Sequence, residues 1–130
     1  GIACAAAQFF AVPVVFAKKG AHRNVGENLY TSEVFSFTKN KAYLIGVSKD
    51  YLGPDDHVLV IDDFLANGRA LIGLKDILDQ AGSTLEGIGI VIEKGFQEGG
   101  KMLRERGVRL ESLAIIDRFE DGRPIFRQAE

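Results

Sequence analysis

Apolar residues at Ile2, Ala5, Ala6, Phe9 and Phe10 recur at helical spacing, which predicts a helix over Ile2 to Ala11, stopped by Pro13. Val12 to Ala17 reads as a short buried strand that ends in Lys18-Lys19-Gly20. The stretch that follows, to Tyr30, is polar and aperiodic, the mark of a mobile loop. Val34 to Thr38 then alternates, with Val34, Ser36 and Thr38 on one face and Phe35 and Phe37 on the other. Ala42 to Val47 answers it across Lys39-Asn40-Lys41, so a hairpin is expected. Gly53-Pro54-Asp55-Asp56 is a turn in which the fixed φ of Pro helps.

The second half changes rhythm. Val58 to Ile61 is an unbroken apolar run, which suits a strand buried on both faces at the centre of a parallel sheet. Leu65 to Ala81 is amphipathic, with Leu71, Leu74, Ile77 and Leu78 on one face and Gly82 at its end. Leu85 to Glu93 predicts another buried strand, Lys101 to Arg106 a short helix, and Val108 to Ile116 a further strand. Asp121-Gly122 is a tight turn between Ile116 to Phe119 and Pro124 to Arg127. Strands alternating with helices give an α/β fold, with a mostly parallel central sheet flanked by helices.

Composition narrows the possibilities. The 130 residues are enough for one domain with a core and short for two, so 1–130 is expected to be a single domain. Sixteen basic against eighteen acidic side chains leave a net charge of −2, without the electrostatic footprint of a nucleic-acid partner. The apolar runs are too short or too interrupted to span a bilayer, so no membrane partner is expected. A lone Cys4 excludes an internal disulfide and fits a reducing cytoplasm, where it would be a small buried side chain. There is no Ser-His-Asp set, Cys-x-x-Cys pair or histidine cluster, so neither covalent catalysis nor a transition-metal site is indicated. His22 and His57 read as structural or surface residues.

The chemistry concentrates in Val58-Leu59-Val60-Ile61-Asp62-Asp63-Phe64-Leu65-Ala66-Asn67-Gly68-Arg69-Ala70. Ligands of open α/β sheets sit beyond the carboxyl ends of strands, where Asp62 and Asp63 emerge. The Ala66-Asn67-Gly68 turn into a helix aims backbone N–H groups and a positive helix end at one point, which suits a phosphate. Two carboxylates beside a phosphate cradle fit a sugar phosphate with vicinal hydroxyls. Adjacent residues of a strand point to opposite sides, so one carboxylate would touch the sugar while the other orders water or nearby side chains. The plainer alternative is that Asp63 caps the following helix. Arg69 either adds a phosphate contact or faces solvent.

This segment resembles the PRPP motif of type I phosphoribosyltransferases. Pro13 to Lys19, Phe35 to Lys39 and Gly87 to Gln97 follow in the order seen in bacterial xanthine phosphoribosyltransferases, and the similarity runs over nearly the whole chain. The resemblance implies the type I phosphoribosyltransferase fold with a flexible-loop hairpin, and transfer of phosphoribose from PRPP to xanthine. By it, Asp62 and Asp63 hold the ribose hydroxyls, and Ala66, Asn67, Gly68, Arg69 and Ala70 hold the 5′-phosphate. Relatives often have hydroxyl-bearing loops here; Ala70 has none, so backbone groups must carry more. Ala66 stands where hypoxanthine-guanine enzymes place an Asp, which argues against that type.

Lys94 at a strand end can donate to an oxo group of a base, as the family's Lys does, or simply be solvated; Phe96 either flanks the base ring or covers the core. Lys18 and Lys19 either neutralise the pyrophosphate leaving group or are solvated. The Gly20 to Ser32 loop matches the flap that closes over PRPP. Mg²⁺ would arrive with PRPP, bound through its oxygens and water rather than by protein ligands. The resemblance further implies a homodimer, to whose interface or to whose core Phe35 and Phe37 would contribute. It also implies a preceding segment with a strand, a pyrophosphate loop and a hood over the base. Two rivals remain: a type I enzyme for another base, and a PRPP-sensing regulator without transferase activity. A dinucleotide-binding domain is disfavoured, since no Gly-x-Gly-x-x-Gly follows a strand.

Overall fold

The computed structural model describes residues 1–20 and 28–128. Its elements are α1 (Ile2–Phe10), β1 (Lys18–Lys19), β2 (Leu29–Ser36), β3 (Lys41–Ser48), β4 (His57–Leu65), α2 (Arg69–Ala81), β5 (Thr84–Lys94), α3 (Gly99–Glu105), β6 (Leu110–Glu120) and β7 (Arg123–Phe126). They group into two compact units. The first comprises Gly1–Phe10, Leu59–Gly68 and Glu86–Glu130, and the second Ala11–Val58 and Arg69–Leu85.

Strands β4-β5-β6-β7 lie in that order in one sheet. The helical crossover from β4 through α2 to β5 is the kind of connection that parallel neighbours need. β5 and β6 run parallel, from Ile88 opposite Leu110 to Lys94 opposite Ile116. β7 folds back antiparallel on β6 across Asp121 (φ 50°) and Gly122 (φ 74°), the double left-handed turn that suits a two-residue hairpin. The core of the first unit is built from Leu65, Ile88, Ile90, Leu103, Leu110 and Ile116, all buried.

In the second unit β2 and β3 form the expected hairpin, paired from Leu29 opposite Ser48 to Ser36 opposite Lys41, with β1 on the far edge of β3. α2 lays its apolar face on this hairpin, burying Leu71, Ile77 and Leu78 with Val34, Ile45 and Val47. The approach is close because Gly73 has no side chain: a Cβ there would stand 2.7 Å from Val34 Cγ2 and 2.9 Å from Ile45 Cδ1. Gln80 Nε2 donates to Thr31 O at 2.8 Å and pins the far end of the helix.

Several expectations need correction. Val12 to Ala17 forms no strand; only Lys18 and Lys19 pair, and Val12, Val15 and Phe16 are exposed. Pro13 removes a donor, and among the described residues no ladder partners this stretch. Among the described residues β4 is an edge strand of its sheet rather than a central one, and Leu59 is exposed, so the apolar run is not sealed on both faces. β4 also continues to Leu65, which places the carboxylates inside the strand and starts α2 at Arg69. The chain stays extended there because Leu65 is needed in the core, at 2% exposure. The hairpin turn occupies 37–40, with Asn40 at φ 47°, so Phe37 leaves the strand.

α1 ends at Phe10, with Ala11 at φ 52°, yet it buries none of its residues; Phe9 is 90% exposed. Cys4 is exposed rather than buried. Phe35 and Phe37 are exposed too, stacked edge to face at 4.9 Å. Most of the predicted flap, and His22 within it, lies outside the described residues, while Leu29 to Ser32 belong to β2. No helix among the described residues is long and apolar enough to cross a membrane.

Candidate active site

β4 carries the acidic pair near its carboxyl end. Asp62 is half-buried and Asp63 exposed, and each is folded against the next backbone amide. The Asp63 N–H donates to Asp62 Oδ1 at 2.9 Å, and the Phe64 N–H donates to Asp63 Oδ1 at 2.7 Å. α2 begins only at Arg69, six residues after Asp63. Burial pushes the Asp62 carboxyl above its ordinary value; the backbone bond from Asp63 pulls it down, and the neighbouring Asp63 carboxylate pushes it up. A ligand hydroxyl donating to Asp62 would favour its charged form again.

Ala66 to Gly68 follows as a loop with little room to move. Gly68 is buried at φ 79°, in the left-handed region where a side chain is strained. A Cβ on it would stand 3.1 Å from Met102 Cε and 3.2 Å from Gly99 Cα. The Gly99 N–H donates to Ala66 O at 3.1 Å, so the loop rests on the first turn of α3. Sequence reasoning did not single out this seat; the Gly99-Gly100 pair was its signal.

Lys94 is the last residue of β5, the sheet neighbour of β4, with its carbonyl accepting from Gln97 N–H at 3.0 Å. Phe96 is 49% exposed, so it does not cover the core; its ring stands edge-on to Phe119 at 5.8 Å. Asp62, Asp63, Ala66, Asn67, Gly68, Lys94 and Phe96 all belong to the first unit.

Lys18, Lys19, Arg69 and Ala70 belong to the second. Lys18 and Lys19 do not follow a strand but form one, opposite Gly46 and Ile45. Both are exposed, and Lys19 Nζ lies 4.4 Å from the centre of the Tyr43 ring. Arg69 opens α2, exposed, with its guanidinium carbon 5.4 Å from the centre of the Phe37 ring at the hairpin turn. Ala70, half-buried in the first turn of α2, offers no hydroxyl.

No family model matches the chain. Individual proteins do. A xanthine phosphoribosyltransferase of Ruminiclostridium cellulolyticum is 59% identical over 128 residues, covering 98% of this chain and 67% of that protein. The chain belongs to the xanthine phosphoribosyltransferase family. Another member, from Clostridioides difficile, is 50% identical over 127 residues, covering 97% of this chain and again 67% of the relative. The chain thus spans about two thirds of the length of these family members.

Among solved structures, adenine phosphoribosyltransferase from Rhodothermus marinus overlies 88% of this chain and 62% of its own, with a TM-score of 0.75 at 19% identity. The enzyme of the same name from Thermoanaerobacter pseudethanolicus overlies 86% of this chain and 61% of its own, with a TM-score of 0.73 at 21% identity. Those likenesses establish the fold: it is that of the type I phosphoribosyltransferases, a family of pentosyl-transferring enzymes.

Among the described residues no group of three or more His, Cys, Asp or Glu side chains is placed to hold a metal ion. The Asp62–Asp63 pair, each with an oxygen engaged by backbone, fits a hard cation held through water rather than by direct protein ligands.

Proposed function

We propose that the protein carrying this chain is a xanthine phosphoribosyltransferase of purine salvage, and that 1–130 is part of its catalytic domain. It transfers the 5-phosphoribosyl group of PRPP to xanthine, giving XMP and pyrophosphate. The observation that carries the reading is the left-handed Gly68, seated on Gly99 three residues after a carboxylate-bearing strand that ends in Leu65.

In the transfer, a ring nitrogen of xanthine bonds to the anomeric carbon of PRPP as the bond from that carbon to pyrophosphate breaks. The bonding electron pair leaves with pyrophosphate, and the proton of the attacking N–H passes to solvent. Asp62 and Asp63 hold and orient the ribose hydroxyls, so that the anomeric carbon sits in line for attack. Backbone N–H groups from Ala66 to Ala70 receive the 5′-phosphate, and Lys94 donates to an oxo group of the base, with Phe96 beside its ring. Lys18 and Lys19 supply positive charge as the leaving group becomes more negative. Mg²⁺ carried on PRPP would neutralise part of the same charge. A homodimer working in the cytoplasm completes the reading.

The test is pyrophosphate release by the full-length protein with Mg²⁺ and PRPP, offered xanthine, guanine, hypoxanthine, adenine and orotate separately. A strong preference for xanthine is expected. Release with another base instead would refute the assigned specificity, and binding of PRPP without release for any base would refute the enzyme reading.

A further inference from the structure

Behind the loop, the first unit buries a charge that the transfer chemistry does not use. Glu93, the penultimate residue of β5, is 1% exposed. Arg104 on α3 grips it with both terminal nitrogens: Nη2 lies 3.0 Å from Oε1, and Nη1 donates to Oε2 at 3.1 Å. The Ser112 hydroxyl on β6 donates to Oε1 at 3.3 Å. One carboxylate thereby ties β5, α3 and β6 together, in a geometry that the rigid guanidinium fork fixes and a point charge would not.

The two glycines that open α3 connect this clamp to the loop. Gly100 lies against the carboxylate, and a Cβ on it would stand 2.5 Å from Glu93 Oε1 and 2.9 Å from Arg104 Nη1. Gly99 lies against the loop, where a Cβ would stand 2.7 Å from Gly68 N and 2.8 Å from Asn67 C. The contacts run from carboxylate to glycine backbone to loop backbone, with no flexible side chain between them to absorb a shift. Glu93 is buried while the Arg104 side chain is 39% exposed, so the pair joins a buried carboxylate to a guanidinium that reaches the surface.

We propose that Glu93 and Arg104, supported by Ser112, are positioning residues for the Ala66–Gly68 loop, and that they set the affinity for PRPP without touching it. The proposal rests on the reading of that loop as the 5′-phosphate site. Two consecutive residues of β5 thereby have different roles, Glu93 serving the loop and Lys94 the base.

The experiment uses the full-length protein with Arg104→Lys, Arg104→Met, Ser112→Ala and, as a reference, Asp63→Asn. KM for PRPP and for xanthine, kcat and thermal midpoint are measured for each. Arg104→Lys, which keeps the charge and loses the fork, is expected to raise KM for PRPP about tenfold, with KM for xanthine held within about twofold. Ser112→Ala should give a smaller rise and Arg104→Met a larger one, and the order should not follow the thermal midpoints. If Arg104→Met does not fold, the two milder variants carry the test. Should Arg104→Lys and Ser112→Ala leave KM for PRPP unchanged while Asp63→Asn raises it, the pair only holds the fold and the proposal is overturned. An equal rise in both KM values would also overturn it, as general loosening. If Asp63→Asn itself leaves PRPP binding intact, the reading of the site fails and takes the proposal with it.

Discussion

Gly99 and Gly73 do the same thing in two parts of the molecule, with opposite consequences. Each lets two elements approach more closely than any side chain would allow. At Gly73 the neighbours of an added Cβ are side-chain methyls of Val34 and Ile45, which give way only by local repacking. At Gly99 they are the backbone atoms of Asn67 and Gly68, which cannot move without moving the loop. The first is a packing joint between α2 and its hairpin. The second is a joint between α3 and the candidate phosphate site. The close approach at Gly99 holds loop backbone, while that at Gly73 ends on core side chains.

Substitution should separate the two. Gly99→Ala is expected to lower kcat/KM for PRPP about a hundredfold, the scale of a misplacement of about 1 Å, while a circular dichroism melt still shows a cooperative transition. Retained PRPP affinity in a folded Gly99→Ala protein would remove the distinction altogether. Asp62→Asn comes next, expected to weaken PRPP binding by roughly tenfold or more, as for loss of a hydrogen bond to a charged group, in a calorimetric titration.

The same Asp62 variant has a pH signature. Because burial raises the Asp62 carboxyl in the folded state, its stabilising contribution is fully present below the ordinary value of 3.8 and is lost as pH rises through the raised value. Above that window the ionised group costs stability, so Asp62→Asn should melt higher than the parent at neutral pH, with the difference shrinking in acid. An unchanged difference from acid to neutral pH would contradict this account.

The two smallest effects belong to the second unit. Gly73→Ala should cost about 1 kcal/mol net, since overpacking of about 1–3 kcal/mol is offset by the roughly 1 kcal/mol that Ala gains over Gly in a helix. KM for PRPP should not change with it. Arg69→Gln should lose about 0.5–1 kcal/mol of ring contact with Phe37 in a denaturant melt. A large rise in KM for PRPP in that variant would move Arg69 into the phosphate site, the alternative left open by its position in the loop motif.

The periodic elements were legible because their residues meet partners that the pattern itself implies. α2, β5 and the terminal hairpin lie within a few residues of their expected bounds, and Asp121-Gly122 makes the turn its residues require. The errors fall where the partner is not written locally. Val12 to Ala17 has the composition of a strand and no strand beside it among the described residues, and α1 has a helical period yet buries none of its residues. Residue type and spacing single out Asp62, Asp63 and Gly68 as candidates. Glu93 could not be picked out in the same way, since its meaning comes from contacts with Arg104 and Ser112, distant in sequence.

Among the described residues β4 is an edge strand, and its sequence around the acidic pair is Val58-Leu59-Val60-Ile61-Asp62-Asp63-Phe64-Leu65. An open edge of β-branched and aromatic residues invites further strands to add on, and charge is what discourages it. Along 58–65 the two carboxylates are the only charged side chains, and charge of that kind opposes strand addition at an edge. A double Asp62→Asn, Asp63→Asn protein would lose both charges at once. Its inactivity would have to be read alongside light scattering, because an aggregate and a protein unable to bind ribose give the same empty assay.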